Sequence, residues 1–219
     1  MNNRGKLITL EGGDGSGKTT LLEALQKRLL SLGYAPLVTR APGATETGKK
    51  IRDWVMHQKL PLTKQAELFL FLADRAQHVE ELLLPALKEG KIILCDRFND
   101  STLAYQGAAR GENLQFIEKL CLFATQGLTP DLTLYLDIPP EEGLLRAQAA
   151  VVKEGKPSYD RIEQEKISFH EKVRMAYRAL VEKEPGRIQL IDARQSPEEV
   201  FQNALEKVLH LLRERNGGC

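Results

Sequence analysis

Residues 12–19 read Gly12-Gly13-Asp14-Gly15-Ser16-Gly17-Lys18-Thr19, a full match to the pattern G-x-x-x-x-G-K-[ST]. A short β-branched run precedes the match and an amphipathic segment follows it, which is the strand–loop–helix context this pattern needs. The glycines let the backbone curl until successive N–H groups point inward at phosphate oxygens. Lys18 adds a charge near the terminal phosphates, and Thr19 offers a hydroxyl to Mg²⁺. A nucleoside triphosphate such as ATP is the expected ligand of all eight residues. An ordinary strand-to-helix turn is the alternative, and the strand before and helix after argue against it.

Outward from this loop, short apolar runs alternate with longer helical stretches, the pattern of a parallel sheet covered on both faces. Strands are expected over 7–10, 36–39, 92–95, 132–138 and 188–191. The first helix carries Leu21, Leu22, Leu25, Leu29 and Leu32 at helical spacing and stops at Gly33, a natural left-handed cap. The last opens on Ser196-Pro197-Glu198-Glu199, a capping box with proline at the first helical position, and runs to about residue 215. Other helices are expected near 45–56, 63–89 with a kink at Pro85, 113–126, 141–151 and 163–183. The stretch 152–160 breaks helical periodicity and carries Lys153 and Lys156, so it reads as a mobile flap. The fold class is therefore α/β: a single P-loop NTPase domain over residues 1–219, with a five-stranded parallel sheet flanked by helices.

Composition narrows the function. At 219 residues the chain can bury a core without staples. A net charge of +1 with 28% charged residues gives no overall basic field, so no nucleic-acid partner is expected and local clusters must bind anions. Cys95, Cys121 and Cys219 are odd in number and lack C-x-x-C spacing, which suits reduced thiols in a cytoplasmic protein better than a disulfide frame or zinc site. The apolar runs at 68–73 and 82–87 are too short to span a bilayer, and residues 1–6 carry no signal-peptide apolar region, so no membrane partner is expected.

In doubly wound sheets ligands sit beyond the carboxyl ends of the strands. The positions there are polar: Glu11 and the loop after the first strand, Arg40 after the second, Asp96-Arg97 after the third, all expected to face one crevice. Asp96 stands where such an enzyme needs a carboxylate for Mg²⁺; a cap for the next turn is the lesser alternative. Arg97 reads either as a surface charge or as a bidentate partner for a second phosphate. Arg40, Arg52, Arg75 and Arg97 exceed the needs of one triphosphate, and no Asn-Lys-x-Asp sequence is present. A kinase of small substrates fits better than a guanine-nucleotide switch.

Four further blocks are similar to those of the thymidylate kinase family. Residues 39–45, Thr-Arg-Ala-Pro-Gly-Ala-Thr, are close to T-R-E-P-G-G-T. Residues 96–107, Asp-Arg-Phe-Asn-Asp-Ser-Thr-Leu-Ala-Tyr-Gln-Gly, resemble D-R-[YFH]-x-x-S-x-x-A-Y-Q-G. Residues 130–137 and 160–163 resemble P-D-L-T-x-Y-L-D and D-R-[IF]-E. The resemblance covers nearly the whole chain and implies an ATP- and Mg²⁺-dependent dTMP kinase, a homodimer, with a lid about 146–161. It implies that Phe71 stacks on thymine, although a core phenylalanine is the other reading. It implies that Arg75 bonds a thymine carbonyl, that Ser101 and Gln106 lie on the base side, and that Tyr105 crowds the sugar. Asp14 would reach the acceptor's 3′-hydroxyl. Arg40, Arg52 and Arg97 would surround the acceptor phosphate and the transferred group, and Thr19 and Asp96 would serve Mg²⁺.

The chain departs from the family pattern twice. Ala41 replaces the usual glutamate, and Gln148, Ala149 and Ala150 stand where many bacterial relatives carry arginines. In the family a basic residue near the transferred phosphoryl comes from either the loop or the lid. Gly15 and Ser16 cannot supply it, so the resemblance turns to Arg146, Lys153, Lys156 and Arg161 as alternatives. Another nucleotide kinase, and a non-catalytic ATP-dependent switch, remain as rival functions.

Overall fold

The computed structural model describes residues 4–57, 61–154 and 161–214. All five strand signals join one parallel sheet: β1 (Lys6–Gly12), β2 (Leu37–Arg40), β3 (Ile92–Asp96), β4 (Leu132–Asp137) and β5 (Ile188–Asp192), in the order β2-β3-β1-β4-β5. Successive β1 side chains point to opposite faces, so its pattern sorts the layers. Ile8 and Leu10 pack with Leu21, Leu25 and Leu29 of α1 (Lys18–Ser31) and with Ala204 and Val208 of α9 (Pro197–Glu214). Leu7 packs on the other face with Val79, Leu83 and Leu87. By the same alternation Thr9 and Glu11 lie on Leu7's side, which places a buried carboxylate beneath the carboxyl end of the sheet.

The helix signals at both ends of the chain hold. Gly33 takes a left-handed φ of 84°, and the amides of Gly33 and Tyr34 bond back to Leu30 and Leu29, closing α1 with a Schellman turn. Before α9, Ser196 Oγ accepts from the Glu199 amide while the Glu199 carboxylate accepts from the Ser196 amide. Thr45 and Thr63 cap α2 (Glu46–Met56) and α3 (Lys64–His78) through their side-chain oxygens.

Elsewhere tertiary contacts overrule local pattern. The helix expected over 63–89 is three pieces: α3, a π turn at Val79–Leu83, and α4 (Leu84–Lys88). In a continuous α-helix the Pro85 ring would meet the carbonyl four residues back. The wider turn upstream relieves that clash and leaves Pro85 in the first turn of α4, where it is tolerated. Residues 99–109, with no expected helix, form α5 (Asn99–Thr102) and a second π segment, Leu103–Ala109. Next, α6 (Leu114–Ala124) ends two residues early, before Gln126 at φ 53°. The helix α7 (Pro140–Glu154) continues past 151 into the expected flap, whose remainder, with Lys156, lies outside the described residues. Finally, α8 (Ile167–Lys183) starts four residues after 163, because Arg161 and Glu165 are drawn into ion pairs with Glu67 and Arg110. Among the described residues no helix is long and apolar enough to cross a membrane.

Candidate active site

The sheet order reverses around β1, and a crevice opens beyond the carboxyl ends of β1 and β3, with the glycine loop at its centre. Gly17, at φ 90°, turns the chain into α1 with no side-chain cap, so the first amides of the helix are left for an anion. Lys18 is buried, and its Nζ donates to the Gly12 and Gly13 carbonyls and to Ser16 Oγ at 2.8–3.2 Å. Burial first, and then the Arg97 charge, lower its pKa to about 8. The tip of the loop rests on α7: a Cβ on Gly15 would fall 1.9 Å from the Gly143 carbonyl oxygen. That approach requires glycine at 15.

On one side of the loop a cavity of about 540 Å³ is lined by Asp14, Gly15, Lys18, Thr19, Arg40, Arg52, Phe71, Arg75, Asp96, Arg97, Ser101, Tyr105 and Gln106. Every expected acceptor-side and metal residue is thus brought to one place. Arg97 sits at its heart with a left-handed φ of 69°, costly for a non-glycine residue. Its guanidinium bonds Asp14 Oδ1 at 3.3 Å and Ser101 Oγ at 3.2 Å and lies over the Tyr105 ring. Arg75 is 2% exposed and stacks on Phe98 at 4.5 Å, while its Nε and one terminal nitrogen have no partner among the described residues. Asp96 Oδ1 and the Tyr105 hydroxyl are buried and unpartnered too. Phe71 lines the cavity while packing into the core with Val55 and Tyr105.

Glu11 corrects the expectation that it faces the crevice. It is fully buried and accepts from the Phe98 amide (2.6 Å), Ser101 Oγ (2.6 Å) and the Tyr177 hydroxyl (2.7 Å). Burial, then the Asp100 charge, push its pKa up. The contact to the Phe98 amide pins the residue after Arg97, so Glu11 holds the strained turn in shape. Tyr177 carries no signal in the sequence beyond a helical apolar face. Gln106 is also committed, donating to Glu67 Oε1 at 2.9 Å.

Of the lid cations, Arg161 is turned away from the crevice: it donates to Glu67 Oε2 at 2.6 Å and to the Val55 carbonyl at 3.0 Å. Glu67, also bonded by Arg110, is a buried anion whose pKa is held down despite burial by Gln106, Arg110 and Arg161. Arg146 points to the opposite side of the loop, donating to the Ala193 carbonyl at 2.7 Å. It lines a second cavity of about 690 Å³ between α1 and α9, with Gly17, Thr20, Ala193, Gln195 and Phe201. Sequence reasoning missed this cavity, because its walls are helix surfaces and a strand end with no motif of their own. Two cavities therefore flank the glycine loop.

A family model described as Thymidylate kinase matches residues 10–204. The chain is 51% identical over 206 residues to a protein named Thymidylate kinase from Protochlamydia amoebophila, covering 93% of this chain and 92% of the relative. It is 45% identical to a Desulfovibrio desulfuricans protein of the same name, covering 96% and 98%. Another, from Carboxydothermus hydrogenoformans, is 44% identical over 90% and 94%. With a glycine cradle set between two cavities and a family match over most of its length, the chain belongs to the thymidylate kinase family.

Proposed function

We propose that the protein transfers the γ-phosphoryl group of ATP to dTMP, giving dTDP and ADP, in one in-line step without a covalent enzyme intermediate. One observation carries this reading. Of eight buried side-chain atoms without a partner among the described residues, four belong to Arg75, Asp96 and Tyr105, all lining the 540 Å³ cavity. Orphaned polar atoms are costly, and their concentration in one cleft marks a surface organised for a polar ligand. ATP would place its adenosine in the 690 Å³ cavity and its phosphates on Gly12 to Thr19. dTMP would enter the other, its base on Phe71, a carbonyl on Arg75, its sugar against Tyr105 and its 3′-hydroxyl on Asp14.

The acceptor phosphate has a second pKa near ~6 and is mostly dianionic at neutral pH, so no general base is needed. Positioning and charge do the work: Lys18, Arg40, Arg52 and Arg97 offset repulsion between the two anions. Thr19 and Asp96 would hold Mg²⁺, and the buried, unpartnered Asp96 Oδ1 fits that part. When bound, the ion neutralises charge on the β- and γ-phosphate oxygens. Residues about 146–161 would act as a lid excluding water, with Arg161 reaching the transferred group only by leaving Glu67.

A homodimer is part of this reading, supported by Phe69 of α3 and Phe116 and Phe123 of the adjoining α6, all exposed, Phe123 by 86%. Sedimentation at twice the chain mass is expected, and a strict monomer removes the proposal. Cytoplasmic residence is supported by Cys95 and Cys121, which are free and buried.

A panel of acceptors in a coupled ADP assay tests the reaction and base choice together. The kcat/KM for dTMP should exceed that for dCMP by ~10²-fold or more, since Arg75 can only donate and cytosine presents an amine there. Preference for any other acceptor overturns the assignment. ATP binding without acceptor-dependent ADP release would favour a switch.

A further inference from the structure

Behind the phosphate loop, a residue with no part in the reaction so far stands against one that has. Asp14 Oδ1 is engaged by Arg97, but Oδ2 is buried without a partner among the described residues. His170 of α8, 6% exposed, places its Nδ1 4.0 Å from Oδ2. That is too long for a direct hydrogen bond. Both side chains line a cavity of about 20 Å³ beside Tyr135 and Arg174, which is room for a single water. A bridging water joins two polar groups nearly as well as a direct contact. A carboxylate only accepts, so the water donates to Oδ2 and meets Nδ1 either as acceptor of the ring proton or as donor to the ring lone pair.

The imidazole is fixed from behind, edge-on to Phe169 with ring centroids 5.5 Å apart. Its Nε2 is also buried without a partner among the described residues. An apolar side chain would fill the same space with no unpaired nitrogen, so packing alone does not account for a histidine here.

We propose that His170 is a positioning residue, holding Asp14 Oδ2 through Nδ1 and one bridging water, so that the carboxylate stays aimed at the acceptor's 3′-hydroxyl. The idea rests on the dTMP kinase reading given above. It gives the site a rigid support on α8, outside the loop and independent of the phosphate contacts.

The test compares dTMP with 3′-deoxythymidine monophosphate, which lacks the hydroxyl Asp14 would bind, in H170L, H170N and H170Q. In H170L the kcat/KM for dTMP should fall ~10-fold, mostly through KM, with the 3′-deoxy acceptor changed less than about twofold. H170N, whose side-chain amide takes the place of Nδ1 toward the water, should recover most of the loss, and H170Q, which mimics Nε2, should not. Equal losses for both acceptors, or no loss for either, overturn the positioning role alone. If H170L does not fold, the contrast between H170N and H170Q decides, and equal behaviour of those two overturns the role. A parent enzyme inactive on both thymidylates instead sinks the underlying reading and this inference with it.

Discussion

Lys18→Met lowers kcat by ~10³-fold or more while the thermal midpoint stays within a few degrees of the parent. The two halves of that result have one cause. In the fold Lys18 is buried and bonded to its own loop, with its pKa lowered to about 8 from an ordinary lysine value of 10.5. A lysine depressed in this way binds fewer protons folded than unfolded between pH 8 and 10.5, so its contribution to stability rises with pH across that window. Below about pH 8 the buried charge costs the fold free energy, which methionine removes at similar volume. The loss of three hydrogen bonds to the loop opposes that gain, and the two nearly cancel. The same shift predicts that ATP affinity of the free parent enzyme weakens as pH passes about 8, where the cation is lost, and that the methionine variant lacks this dependence. Calorimetry and a coupled ADP assay check both, and a variant turning over within tenfold of the parent would remove Lys18 from the phosphate site.

Arg75→Met should cut kcat/KM for dTMP by ~10²-fold, mainly through KM, since a hydrogen bond from a charged donor to a thymine carbonyl is worth about 1.5–3 kcal/mol. It should also make the free protein more stable. At 2% exposure Arg75 carries two nitrogens without a partner among the described residues, and its compensation includes the stack on Phe98. Replacing them with a thioether should gain about 1 kcal/mol, or ~2–4 °C in midpoint for a chain of this length. Discrimination against dCMP should shrink in step. A variant that melts earlier and still prefers dTMP as strongly as the parent contradicts the assigned role.

The readable parts of this protein are those where local chemistry and the fold ask for the same thing. The glycine loop, the five strands, the Gly33 stop and the Ser196 capping box each need particular residue types wherever they occur, and all were legible. Asn99, Asp100, Ser101 and Thr102 read as turn formers, yet they form a buried helix. Asp100 is clamped by Arg187 and Ser101 by Glu11, partners 87 and 90 residues away. The π turns are invisible for a related reason, since helical periodicity does not separate a four-residue from a five-residue hydrogen-bond step. Many residues lining the 540 Å³ cavity came from motif blocks, and Arg52, Phe71 and Arg75 from the wider family resemblance, whereas their supports came from neither. Glu11, Tyr177 and Glu67 act through contacts that join distant elements, and Arg161, expected at the reacting phosphate, is held by one of them.

The close fit of Gly15 against Gly143 limits how the molecule can move. A carbonyl seated where a methyl would be leaves no slack between the cradle and the first turn of α7, and a Cβ on Gly15 would also stand only 3.0 Å from the Ala147 amide. The base of that helix is an abutment rather than an arm. A swing of its outer half that pivots beyond residue 147 would leave the seating of the glycine loop undisturbed.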